Sequence, residues 1–209
     1  MKIKAEELNS LFIELMEIID ENFKNERHIK LTNMYQQLQE RIMMAPASSN
    51  KGYFGAYPGG YMKHVLKVVE ISKILYKLWE KMGADMSTYT HEELIFAALN
   101  HSLGKLGNET EELYIPNKSQ WHIENKGDIY MFNPDVTYMP LPDRAIWLLQ
   151  KFGIDMSENE YIAIKTYEGL LNEGNNTYLK THNPNSHLPI LLHQANYMAY
   201  RIAHETDKK

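Results

Sequence analysis

Apolar side chains recur every three or four residues through most of this chain, and that spacing belongs to helices packed on a shared core. Over residues 6–23 the stripe is Leu8, Leu11, Phe12, Leu15, Ile18 and Ile19. A second helix is expected over about residues 31–43. A long one is expected from Gly60 to about Met82, with His64, Val68, Ile71 and Leu75 on one face and Gly83 as its C-cap. Thr90 with Glu93, and Ser157 with Glu160, have the spacing of capping boxes and mark two further helix starts. Another helix is expected over residues 142–152. The last, over residues 187–204, carries Leu188, Leu191, Leu192, Ala195, Met198, Ala199 and Ile202. The expected fold class is all-α, a helical bundle with long irregular loops.

Three stretches break the pattern. Residues 45–60 hold Gly52, Gly55, Pro58, Gly59 and Gly60 with Tyr53, Phe54 and Tyr57 between them. Loops with this make-up are either surface excursions or functional coverings. Residues 108–142 contain Trp121, His122, Tyr130, Phe132 and several prolines, and suit short helices, turns or a small hairpin. Residues 170–186 form a polar, Asn-rich loop. A length of 209 residues fits one domain. Residues 1–44 are expected to be an N-terminal helical segment packing on a core of residues 45–209.

The chain has no cysteine, so disulfides, zinc–thiolate sites and thiol nucleophiles are excluded. The formal net charge is −5 with no basic stripe, which argues against duplex nucleic acid as a partner. Small anions remain open, because a few lysines suffice for one pocket. No apolar run approaches about 18 residues, so no membrane span is expected. The start, Met1-Lys2-Ile3-Lys4-Ala5-Glu6-Glu7, lacks the apolar core of a signal peptide. A cytoplasmic location fits these features. Tyrosine, at 14 residues against 6 Phe, favours surfaces that are both apolar and hydrogen-bonding.

Polar residues then gather at the end of an apolar stripe. Leu94, Ile95, Ala97 and Ala98 lead into His101, Ser102 and Lys105, which a continuing helix would place on one side. Gly104 and Gly107 would admit a neighbouring backbone or a ligand. His64 stands on an apolar face after the Gly-rich loop. Two histidines on core helices could share a metal ion, and could equally be hydrogen-bonded core residues.

Tyr57-Pro58-Gly59-Gly60-Tyr61-Met62-Lys63-His64 and Ala98-Leu99-Asn100-His101-Ser102-Leu103-Gly104-Lys105 resemble the first two motifs of the HD-domain superfamily of phosphohydrolases. The resemblance continues through Ala163-Ile164-Lys165-Thr166-Tyr167-Glu168-Gly169 and Leu191-Leu192-His193-Gln194-Ala195-Asn196-Tyr197-Met198-Ala199. The segment with Asn117, Trp121 and Asn125 before Asp143-Arg144 looks like HD-domain proteins of large tailed bacteriophages.

The resemblance implies an HD-domain-like helical core around a divalent metal that hydrolyses phosphate esters, commonly of nucleotides. In the family the metal is held by a His, a His-Asp pair and a distant Asp. His64 matches the first His and His101 the second. Ser102 stands in place of the paired Asp, and Asn196 in place of the final Asp. Tyr167 stands where some members carry a further His, with Glu168 for a following Asp. Lys105 matches the lysine that closes the motif. Both aspartates are thus neutral here, and two imidazoles, a hydroxyl and an amide make a poor cage for a hard cation.

Three functions stay open. The first is a catalytically degenerate protein that binds a nucleotide or cyclic nucleotide through His64, His101, Ser102, Lys105, Tyr167 and Asn196, with aromatics such as Tyr53, Phe54, Tyr57 or Trp121 against the base or ribose. It needs no cofactor. The phage resemblance implies, for this case, sequestration of a host defence signal in the host cytoplasm. The second is an active phosphohydrolase with a divalent metal on His64, His101 and Glu168. The third is an interaction protein with a relic pocket. The N-terminal amphipathic helix could serve a homo-oligomer. His182, His187 and His193 are candidate pocket covers or solvated side chains. Lys63 and Lys67 read as surface charges, and Asp143-Arg144 as a helix-start pair rather than a ligand contact.

Overall fold

The computed structural model describes residues 3–180 and 186–206. The chain is mostly helical. Its helices are α1 (Ala5–Asn22), α2 (Asn25–Gln37), α3 (Gln39–Met44), α4 (Gly60–Lys81), α5 (His91–Asn100), α6 (Leu141–Lys151), α7 (Glu158–Thr166), the single turn α8 (Asn176–Leu179) and α9 (Leu188–Thr206). The central helices are α4, α5, α7 and α9: α4 packs on α5 and α9, and α7 on α5 and α9. α6 lies against α7 and against a 3-10 turn, Leu103–Leu106. Among the described residues no helix is long and apolar enough to cross a membrane.

The predicted stripes are buried except toward the end of α9, where Leu188, Leu191, Leu192, Ala195 and Ala199 join the core but Met198 and Ile202 are exposed. Leu8, Phe12, Leu15, Ile18 and Ile19 of α1 join the core, and so do Val68, Ile71 and Leu75 of α4. α1 packs on α2, α3 and α4, so the stripe proposed for dimerisation is covered by this chain itself. The single helix expected over residues 31–43 is two helices: it starts earlier, at Asn25, and breaks at Leu38, whose backbone (φ −94°, ψ 7°) leaves the helical region.

Both capping boxes form. Thr90 accepts from the Glu93 amide and Ser157 from the Glu160 amide, with each glutamate returning the bond to the cap backbone. The C-cap of α4 is Met82, and the Gly83 expected there follows it at φ 92°, the left-handed position just past the cap that favours glycine. Residues 108–142 resolve into a small hairpin, with β1 (Tyr114–Pro116) antiparallel to β2 (Tyr130–Phe132) in the register Tyr114 to Phe132, and a π-helical turn (His122–Lys126) between the strands. Residues 45–60 are irregular and fold back on the bundle. The Ala47 amide donates to the Gly55 carbonyl (2.7 Å), and the Tyr61 amide donates to the Ala45 carbonyl (3.1 Å).

Candidate functional site

α5 stops at Asn100, one residue before His101. Asn100 is buried and turns its amide back to the Phe96 carbonyl (2.9 Å), while its Oδ1 accepts from the Tyr35 hydroxyl (3.2 Å). The chain then tightens into the 3-10 turn, where the Lys105 amide donates to the Ser102 carbonyl (3.0 Å). A continuous helix would have put His101, Ser102 and Lys105 on one side. The tighter turn separates them, so that His101 and Ser102 are buried and Lys105 reaches a cavity. Gly104 is required here because α6 begins against it: a Cβ at Gly104 would overlap the Leu141 carbonyl oxygen and press on the Arg144 Cβ.

The cavity, of about 610 Å³, opens between α4, α7 and α9 under the folded-back loop. Its wall includes Phe54, His64, Lys105, Tyr167, Glu168 and Asn196. His64 comes from α4 and Asn196 from α9, and His64 Nε2 lies 2.9 Å from Asn196 Oδ1. An amide oxygen only accepts, so Nε2 carries the proton and Nδ1 bears the lone pair. His101 Nδ1 donates to the Ala98 carbonyl (2.8 Å), which leaves its lone pair on Nε2. Both remaining nitrogens are buried; His64 Nδ1 has no hydrogen-bond partner, and the other nitrogen of His101 faces the Asn196 side chain without a well-formed bond.

Electrostatics follow from burial. Desolvation, aided by the nearby Lys105 and His101, holds His64 well below the usual imidazole range. Burial brings His101 down to about 4. Both rings are therefore neutral at pH 7. The Lys105 ammonium, pressed on the Phe54 ring (5.4 Å to its centre) and donating to the Ala47 carbonyl, is lowered to about 8 by desolvation, against the opposing pull of Glu168. Tyr167 is buried beside Glu168 and stays a neutral phenol, its pKa pushed well up.

Aromatic rings line the mouth. Phe54 meets His64 at 4.7 Å and Tyr200 at 5.1 Å between ring centres, and Tyr197 completes the rim. His193 lines the cavity, with its Nδ1 donating to the Tyr167 carbonyl (3.1 Å). Gly169, at φ 67°, packs on the face of that imidazole, where any Cβ would overlap the ring.

No protein family model, characterised protein or solved structure matches this chain. What the cavity can bind rests on its own chemistry.

Of the residues expected in the site, His64, Lys105, Tyr167 and Asn196 are brought together. His101 lies behind the wall, its ring 5.6 Å from His64 and 4.9 Å from Tyr167. Ser102 is buried and does not line the cavity. Tyr57 lines a neighbouring cleft with Lys63, Lys67 and the far side of His64. Trp121 is not part of the site: it is exposed on the π-helical turn, with the Lys126 ammonium over its ring at 5.3 Å. Lys63 and Lys67 pair with Glu7 (2.7 Å) and Glu70 (2.8 Å), as surface charges do. His187 packs edge-on to Trp79 and not on the cavity, and His182 falls outside the described residues. The sequence reading left out Tyr197, Tyr200, Asn172 and Glu173. Tyr200 follows Asn196 by four residues on α9, and that spacing was the available signal.

A divalent metal on His64, His101 and Glu168 fits poorly. The two remaining imidazole nitrogens could ligate, but Glu168 faces Tyr167 and Lys105. Among the described residues no three His, Asp or Glu side chains are placed to share an ion. With neither carboxylate nor third ligand, the set falls short of a cage for a hard cation.

Proposed function

We propose that this chain is a catalytically degenerate HD-domain-like protein that captures a nucleotide or cyclic nucleotide and holds it intact. The observation that carries this reading is a lysine at the cavity wall beside an amide and a neutral imidazole, with a second neutral imidazole behind them, at the positions where the resemblance puts the family's metal ligands. The Asn196 side chain is engaged by His64 through Oδ1 and also faces His101, so the Lys105 ammonium is the group on this wall that suits a phosphate.

The other groups on the wall suit the remainder of a nucleotide. Glu168 and Glu173 accept hydrogen bonds and would repel a bare phosphate, but they serve ribose hydroxyls well. Phe54, Tyr197 and Tyr200 offer faces and edges for a base. The volume of about 610 Å³ lies within the roughly 300–1,000 Å³ of small-ligand sites. Hydrolysis in the family manner needs a cation to polarise the phosphoryl oxygen and activate water. Neither step has a carboxylate anchor here. The phage likeness of the sequence adds the biological role, sequestration of a host defence signal, and no single residue carries that part.

The test is to incubate the protein with a panel of nucleotides, including cyclic ones, in excess magnesium or manganese. Free and heat-released fractions are then analysed. Capture predicts about one intact nucleotide per chain in the heat-released fraction and the same result in EDTA. Cleaved product at many turnovers per chain, abolished by the chelator, would establish the active phosphohydrolase instead.

A further inference from the structure

A second cavity, of about 520 Å³, shares Leu141, Glu168 and Asn172 with the first. It lies between the start of α6 and the hairpin. Its walls include Leu113, Val136, Phe132 and Tyr138, the last two strongly exposed at its rim. Arg144 also lines it and is only 3% exposed. One guanidinium nitrogen donates to the Thr137 carbonyl, while Nε is buried with no partner. The adjacent carboxylate, Asp143, is taken by Lys165, and among the described residues Arg144 makes no ion pair.

A buried guanidinium without a carboxylate is costly, because its desolvation is not offset by an opposite charge. Such a group in a cavity wall is a ready receptor for an anion. The two cavities repeat one pattern. The first has Lys105 with Phe54 and Tyr200, and the second has Arg144 with Phe132 and Tyr138. Between them stand Glu168 and Asn172, which suit the hydroxyls of a connecting sugar.

We infer that the ligand spans both cavities and is a dinucleotide, with one phosphate at Lys105 and the second at Arg144. This rests on the nucleotide reading above and adds to it the size of the ligand. Gly104, next to Lys105, lets the start of α6 seat directly against the turn, with Leu141 and the Arg144 Cβ packed on it.

The probes are 5′-phosphorylated dinucleotides of the four common bases and the matching mononucleotides, titrated calorimetrically into the full chain. The best dinucleotide is expected to bind at least tenfold more tightly than its own mononucleotide. Arg144→Met should abolish that advantage and leave the mononucleotide affinity within about twofold. Met139→Trp, which fills the second cavity from its rim and leaves Arg144 in place, should do the same and decides the matter if the arginine variant does not fold. Equal affinity for one and two nucleotides, or an advantage that survives both variants, overturns the two-cavity ligand and leaves the nucleotide site standing. Binding of no nucleotide at all overturns both.

Discussion

Lys105 is the residue on which anion capture turns, and its pKa of about 8 makes the dependence measurable. The ammonium is charged at pH 7 and is lost as pH rises. Affinity for a nucleotide monophosphate should therefore fall as pH climbs from about 8 to 9.5, the bound phosphate itself shifting the midpoint upward. Lys105→Met should weaken binding at pH 7 by about ten- to a hundredfold, the worth of one charge-assisted hydrogen bond of about 1.5–3 kcal/mol. It should also flatten the profile above pH 8. Calorimetric titrations across that range check both; an unchanged slope in the variant would assign the pH dependence elsewhere. His64, Lys105 and Asn196 were legible as a group because their local motifs carry them. Ser102 was misplaced because the run of helical residues gave no sign that α5 would end at Asn100, an ending set by the buried Asn100 and its contact with Tyr35 from a distant helix. Arg144 was legible only as a helix-start charge, since neither its burial nor its missing carboxylate is a local property.

Among the elements, the starts of α5 and α7 and the side of α2 are tied together by one small network. Arg27 of α2 donates to Glu160 of α7 (2.5 Å) and to Glu92 of α5 (2.9 Å), and the Ser157 cap reaches Glu93 (2.6 Å). The Glu160 side chain is fully buried, and burial raises its pKa against the opposing effect of Arg27. Arg27→Met would leave that carboxylate buried without its cation. Breaking a buried pair costs about 3–5 kcal/mol. Because the Arg27 side chain is 24% exposed, the lower end applies. A fall in Tm on the order of 5–10 °C follows for a chain of this size. Nucleotide affinity should be unchanged, since neither Arg27 nor Glu160 lines the cavity. Thermal melts of the two proteins, with and without nucleotide, test both halves. The helices and both caps could be read from the sequence because periodicity and capping are local. The hairpin at residues 114–132 was legible only as one option among short helices and turns, because its strands are three residues each and owe their pairing to a register no short run encodes.

At the scale of the whole molecule, a helical bundle carries two neutral histidines near its centre, and that limits the conditions in which it stays folded. His64 and His101 have folded-state pKa values below the ordinary 6.5, that of His101 at about 4. The unfolded chain therefore holds more protons than the folded one between those limits. Stability is full above about pH 6.5 and declines as pH falls through the window. Each histidine that stays neutral in the fold adds a slope of up to about 1.4 kcal/mol per pH unit. His91 is lowered by burial in the same sense, and Glu160, raised by burial, acts in the opposite one. Urea unfolding at pH 7.0, 6.0 and 5.5 should show the midpoint falling with pH. His101→Phe keeps a ring against Tyr167 and removes one titrating group, so it should make that fall shallower. Two imidazoles kept neutral inside the core, each with a nitrogen left without a well-formed bond, weaken the fold in acid while lending no packing that an apolar ring would not supply. Cavity-side chemistry is the counterpart of that cost: one ring holds Asn196 in place, and the other backs the wall on which Lys105 acts. A His101→Phe protein that is more acid-resistant yet captures nucleotide less tightly would show the two properties to be exchanged at this position, whereas undiminished capture would make His101 a packing residue alone.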